Sequence, residues 1–196
     1  MNEADFGRLI KAYDMAARQH VNQRRKDKAA SPYINHPVSL VTLLWEVGGV
    51  RDVNILIAAV LHDTLEDTVK QGSDEDFALQ AEIRQEFGEE VLSLVKAVTD
   101  DKSLPKEERK KRQIEHAAST PPKAKLIKLA DKISNVTDIA ANPPKDWSLE
   151  RRKEYLNWAK AVVDAAQADS PNLVARFEQV YRDGMRQLQD QHAAGI

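Results

Sequence analysis

The sequence contains no cysteine. That removes disulfides, thiolate nucleophiles and cysteine-ligated zinc or iron–sulfur centres at once, so any metal must be held by His, Asp, Glu, Asn or water. A surplus of basic charge is also missing. Lys plus Arg number 29 against 31 Asp plus Glu, a formal net charge of −2, whereas a dedicated nucleic-acid binder carries a strongly basic domain. No apolar run approaches the roughly 20 residues of a membrane span. The opening residues, Met1 to Arg8, lack the apolar stretch of a signal peptide. The expectation is a cytoplasmic protein that uses neither nucleic acid nor membrane as a partner. Strand-like alternation, internal repeats and low-complexity tracts are absent too.

What is present is helical spacing along most of the chain. Phe6, Leu9, Ile10, Tyr13 and Ala17 follow the 3.6-residue period of a half-buried helix. A polar stretch over Asn22–Ser31 interrupts the pattern, and Pro32 and Pro37 bracket a short extended piece. Helical spacing resumes over Val38–Glu46 and stops at Gly48-Gly49. Asp52 is a good N-cap for a helix from Val53 to about Asp67. Residues Gln71–Asp76 read as a loop. Further helices are expected over Phe77–Phe87, Glu89–Val98, Lys106–Ala118, Pro122–Ala140, Leu149–Ala168 and Pro171–Gln191. The fold class is all-α, as one helical domain over residues 1–196 of roughly eight to ten helices.

The third helix carries the chemistry. Ile55 to Leu61 is apolar on every side, which marks a helix in the middle of the fold. It runs directly into His62-Asp63-Thr64-Leu65-Glu66-Asp67-Thr68. Ionisable groups at the end of a buried helix are costly unless they are paired or face a cation. His62 and Asp63 are therefore candidate metal ligands, with Glu66 and Asp67 each one helical turn on. Two more candidates are His36, in the proline-stiffened segment Pro32–Pro37, and Asp131, delivered by the apolar run Leu126–Ala130. Two imidazoles and two carboxylates suit Mn, Fe or Zn more than Ca.

Five segments then carry a resemblance: Gln23-Arg24-Arg25-Lys26, Pro32-Tyr33-Ile34-Asn35-His36-Pro37, His62-Asp63-x-x-Glu66-Asp67-Thr68, Val98-Thr99-Asp100 and Lys128-Leu129-Ala130-Asp131-Lys132-x-x-Asn135. In this order they resemble the hydrolase domains of the RelA/SpoT type, members of the HD superfamily, which remove the 3′-pyrophosphate from (p)ppGpp. Asp100–Lys106 and Trp147-Ser148-x-x-Arg151-x-x-Glu154-Tyr155 are similar to the small stand-alone alarmone hydrolases, the metazoan SpoT homologue among them. The likeness spans roughly residues 5–165.

The resemblance implies one Mn²⁺ on His36, His62, Asp63 and Asp131, with Glu66 and Asp67 orienting and activating the attacking water. It implies that Arg25 and Lys26 hold the base and ribose-phosphate end, that Asn135 contacts the nucleoside, and that Lys106, Arg151 and Tyr155 bind phosphate. Two departures stand out. Val69–Glu82 is longer than the usual connection, and Asp138 replaces a threonine typical of the long bifunctional enzymes. The chain is expected to degrade alarmone and not to make it.

Blander readings apply to other residues. In Arg109-Lys110-Lys111-Arg112, pairing of Glu107 and Glu108 with Lys111 and Arg112 at i,i+4 favours a solvated face. Trp158 reads as core, and His20, His116 and His192 as non-ligands. The same machinery acting on an adenine alarmone or NADPH, an HD-type 5′-nucleotidase, or a non-catalytic nucleotide sensor are the competing functions. The oligomeric state is open.

Overall fold

The structure is a computed structural model that describes residues 1–193. Its regular elements, among the described residues, are all helical: α1 (Glu3–Gln19), α2 (Asn35–Thr42), α3 (Val53–Leu61), α4 (Thr64–Asp67), α5 (Asp74–Phe87), α6 (Glu89–Val98), α7 (Lys106–Glu115), α8 (Pro122–Ala141), α9 (Leu149–Ala166) and α10 (Pro171–Ala193). The all-α expectation holds. The sole extended pairing among these residues is an isolated bridge between Arg24 and Pro32, which folds the polar stretch back on itself. No helix among the described residues is long and apolar enough to cross a membrane.

Helix α3 occupies the centre, with every residue from Ile55 to Leu61 buried. Asp52 caps it as expected, its carboxylate accepting from the amide of Asn54 at 2.9 Å. Helices α1, α2, α6 and α8 pack around it, and α10 lies along α8 and α9. Lys123 in the first turn of α8 joins Asp52 at 2.6 Å and also reaches Glu90 in the first turn of α6, gathering three helix starts at one end.

Several local readings need correction. The buried stripe of α1 is Leu9, Ala12, Met15 and Ala16, while Phe6 and Ile10 are more than half exposed and Ala17 is exposed. The apolar period was right and its face was rotated, because α1 meets α3 through small residues that allow close approach. The segment from Pro32 is not extended up to Pro37: helix begins at Asn35, placing Pro37 in the first turn, where its missing N–H costs nothing. That helix ends in a π-turn over Leu43–Val47, closed by Gly48 N–H to the Leu43 carbonyl at 3.0 Å. Gly48 cannot carry a side chain there, since a Cβ would lie 2.9 Å from both Leu173 and the Leu44 carbonyl. Helix α5 starts earlier than read, at Asp74, with Ser73 as N-cap and three acidic residues in its first turn.

The largest difference falls at the presumed end of the third helix, which is not continuous to Asp67. It stops at Leu61, and Asp63 sits at φ −99°, ψ 0°, in the sparsely populated bridge region. Buried Thr64 satisfies the interrupted ladder by donating its hydroxyl to the Leu61 carbonyl at 2.7 Å, and α4 then adds one more turn. The break re-aims Glu66 and Asp67 relative to His62 and Asp63.

Candidate active site

Three elements converge on one point. His36 comes from the first turn of α2, His62 from the end of α3 and Asp131 from the middle of α8, and one ligand atom of each lies within 4.8 Å of the others. His36 and His62 are buried, their rings 5.1 Å apart. His62 Nδ1 lies 2.8 Å from the Ala59 carbonyl, so Nδ1 carries a proton and Nε2 is the atom turned to the site. That Nε2 is buried with no aligned hydrogen-bond partner, although an Asp63 oxygen lies only 2.9 Å away. Two groups so close and yet misaligned are aimed at a shared third point. His36 Nε2 lies 3.1 Å from Asp131, while its Nδ1 faces the Ser134 hydroxyl at 3.2 Å.

Asp63 stands slightly apart. Its carboxylate also accepts from the Tyr33 hydroxyl, and it lies outside the mutual group formed by His36, His62 and Asp131. The electrostatics nevertheless treat it as part of one centre. Burial alone would lower His62, but the adjacent Asp63 charge overrides this and pushes it up to about 9. Burial opposes ionisation of Asp63 and Asp131, yet His62 beside the first and Lys132 beside the second hold both carboxyls well below their usual range. Burial pushes His36 down. An orphaned imidazole nitrogen and two buried carboxylates that draw a proton onto a neighbouring histidine make a pocket that attracts positive charge. The donor set fits a divalent ion.

Glu66 sits on the wall of the same cavity, of about 240 Å³, and burial first, then the Asp63 charge, pushes it up to about 7. One of its oxygens accepts from the Asp100 amide at 3.0 Å, and the other faces Lys102 at 3.4 Å and Arg109 at 3.9 Å. Asp67 lines an adjoining cavity, held by Gln23 at 2.7 Å and by Lys102 at 2.6 Å, the same ammonium that faces Glu66. Lys128 and Lys132 of α8 line the same cavity, and burial pulls Lys128 down.

A second cavity of about 300 Å³ shares Arg25, Tyr33, Asn135 and Tyr155 with the first. Arg25 is paired with Asp138 and donates to Asn135 at 3.1 Å, and Lys26 lines the opening. Lys106 and Arg151 line a third hollow of about 290 Å³, bordered by Trp147 and Tyr155. Burial, then the charges of Lys110 and Arg151, pull Lys106 down. The Arg151 guanidinium lies 4.5 Å over Trp147. Each substrate-contact candidate therefore lines one of three adjoining cavities that all border Tyr155.

Other residues were read differently from the sequence. Arg109 is not on a solvated face: its Nε is buried without a partner and its head faces Glu66. The other three cations of that run do pair outward, Lys110 with Glu107, Lys111 with Glu115 and Arg112 with Glu108. Trp158 packs as expected but also lines the metal-site cavity, with the Lys132 ammonium 4.7 Å over its ring. His20 is buried against Tyr33, ring centroids 4.6 Å apart, and contacts Gln23 at 2.6 Å, so it backs the site although nothing in its spacing marked it.

The family profile described as "HD domain" matches residues 12–157, three quarters of the chain. The chain belongs to the HD domain family. Among HD relatives it is 42% identical over 180 residues to the mouse guanosine-3′,5′-bis(diphosphate) 3′-pyrophosphohydrolase MESH1, covering 92% of this chain and 96% of the mouse protein. The Drosophila melanogaster protein of the same name is 43% identical over 175 residues, covering 89% and 93%. A solved HD structure, described as a metazoan orthologue of SpoT that hydrolyses ppGpp, superposes with a TM-score of 0.82 at 41% identity, covering 90% of this chain and 94% of that one. A Listeria monocytogenes structure, lmo0812, superposes at 0.61 with 26% identity, covering 77% and 99%.

Proposed function

We propose that the protein is a Mn²⁺-dependent 3′-pyrophosphohydrolase that converts ppGpp to GDP and pppGpp to GTP, releasing pyrophosphate. The observation that carries this reading is that the two cavities adjoin, sharing Arg25, Tyr33, Asn135 and Tyr155 in their walls. A nucleotide lying across these residues has its 3′ phosphates among the histidines and carboxylates and its base end at Arg25, Lys26 and Asn135. The names of the similar proteins support the substrate.

His36, His62, Asp63 and Asp131 are the residues that would hold the ion. When bound there it supplies Lewis acidity, making water more acidic and offsetting phosphoryl charge. The remaining work belongs to the chain. Glu66, buried and half-protonated near neutral pH, takes the proton of the attacking water. Asp67, fixed between Gln23 and Lys102, orients that water. Lys128, Lys132 and Arg109 face the charge that develops on the phosphoryl oxygens. Lys106, Arg151 and Tyr155 take the outlying phosphates. The water oxygen bonds to the phosphorus attached to O3′, the P–O3′ bond breaks, and O3′ takes up a proton.

Turnover by metal-stripped protein, with and without Mn²⁺, against ppGpp, an adenine alarmone and NADPH tests this. Mn²⁺-dependent pyrophosphate release from ppGpp, lost at least about 100-fold in Asp63→Ala, is the expected result. Faster phosphate release from NADPH would replace the substrate assignment. Binding of ppGpp without turnover under any divalent ion would make the protein a sensor.

A further inference from the structure

The longer connection after the Glu66-Asp67 pair has a definite contact with the site. Gln71 lies between α4 and α5, and its side-chain amide spans a neighbouring loop. Its Nε2 donates to the Asp100 carbonyl at 2.6 Å, and its Oε1 accepts from the Lys102 amide at 3.2 Å. One side chain thus takes both ends of a three-residue stretch, Asp100-Asp101-Lys102. Everything that stretch presents to the site comes from the same residues: the Asp100 amide binds one oxygen of Glu66, and the Lys102 ammonium bridges the other to Asp67. Gln113 of α7 also holds the Asp100 carboxylate.

The segment bearing Gln71 is itself anchored. The Gly72 amide donates to the Asp76 carboxylate at 2.9 Å, with Gly72 at φ +77°, a conformation that side chains rarely adopt. Asp76 is buried and also accepts from Gln80 at 2.9 Å. Ser73 caps α5. The loop at Asp100–Lys102 is framed from within only downstream, where Ser103 and the Leu104 amide bond back to Asp101, and Lys102 is exposed. A long flexible lysine at an exposed position holds one geometry only if its backbone is fixed.

We infer that Gln71 is a positioning residue for the Glu66–Asp67 pair, acting through the Asp100–Lys102 stretch so that the Lys102 ammonium and the Asp100 amide keep both carboxylates in register. This rests on the reading of Glu66 and Asp67 as the water-activating pair. The inserted segment is therefore a brace for that pair and not a lid over the groove.

Two measurements on the full-length protein test it. In ppGpp turnover, Gln71→Met, which keeps length without the amide, lowers kcat about tenfold and leaves KM within about twofold. Lys102→Ala has a similar effect, Lys102→Arg restores most of the rate, and Gln71→Met adds no further loss in the Lys102→Ala background. Unchanged kcat in Gln71→Met, or full additivity in the double variant, overturns the inference. Amide hydrogen exchange without substrate decides it even where ppGpp is not turned over, an outcome that would remove the functional reading alone. Gln71→Met should speed exchange at Asp100 and Lys102 and leave α3 protected. Equal exchange at those two amides in both proteins overturns it.

Discussion

Glu66 combines the properties that a general base at neutral pH requires, and they come from its surroundings. Burial and the Asp63 charge push it up to about 7, whereas a solvated glutamate is already ionised well below that pH. Glu66→Gln should lower kcat by about 10²–10⁴ with nucleotide binding kept, as measured by turnover and calorimetric titration. As the base must be ionised, the rate rises with pH on passing through about 7. The stability effect has the opposite sense. The folded pKa is raised, so the stabilisation is full below the unfolded value near 4.5 and is lost as pH rises through 7. In metal-free protein this amounts to about 3 kcal/mol at most. Denaturant unfolding at pH 5 and 8 should show a smaller loss in Glu66→Gln than in the wild type, the remainder coming from His62, whose pKa is also raised. His62, Asp63 and this pair stood out as candidates because charge at the end of an apolar helix is conspicuous. Arg109 was not, since it stands in a run of like charges, yet a signal existed. It alone of the four has no acidic residue three or four positions away, so nothing on its own helix explained it.

At the scale of elements, periodicity located the helices but not the break that shapes the site. The 3.6-residue pattern runs through His62-Asp63 without a glycine or proline to stop it, and only the buried Thr64 hydroxyl, bonded to the Leu61 carbonyl, marks the interruption. The rotated face of α1 has a similar origin: Ala12 and Ala16 are buried because α3 is close, and hydrophobicity alone ranks Phe6 and Ile10 above them. Tight approach matters again at Gly184 of α10, where a Cβ would lie 2.9 Å from Leu156 and 3.3 Å from Ala140. Gly184→Val should cost about 1–3 kcal/mol through overpacking, seen as a lower Tm, and should also reduce activity because α10 backs the helix that carries Asp131 and Asn135. A Tm equal to wild type would mean that α10 yields freely. The family profile ends at residue 157, so this support lies beyond the matched region.

For the molecule as a whole, an ion held as proposed by His36, His62, Asp63 and Asp131 would make folding and metal binding one equilibrium. A ligand of the native state adds RT ln(1 + [L]/Kd), about 2.7 kcal/mol at a hundredfold excess over Kd. Thermal unfolding should shift upward with added Mn²⁺, return with EDTA, and show no Mn²⁺ response in Asp131→Ala. The charge balance sets a different rule for the substrate groove. The chain carries −2 overall, so its distant field offers a polyanionic nucleotide no attraction, and the cations that matter are local. Among these, Arg25 already has an anion of its own in Asp138. Binding of the proposed nucleotide's ribose-phosphate end at Arg25 would then exchange one counter-ion for another, with added salt weakening the outgoing pair as well as the incoming one. Catalytic efficiency should therefore decline only shallowly with ionic strength in the wild type, and more steeply in Asp138→Asn, whose arginine has no resident anion to surrender.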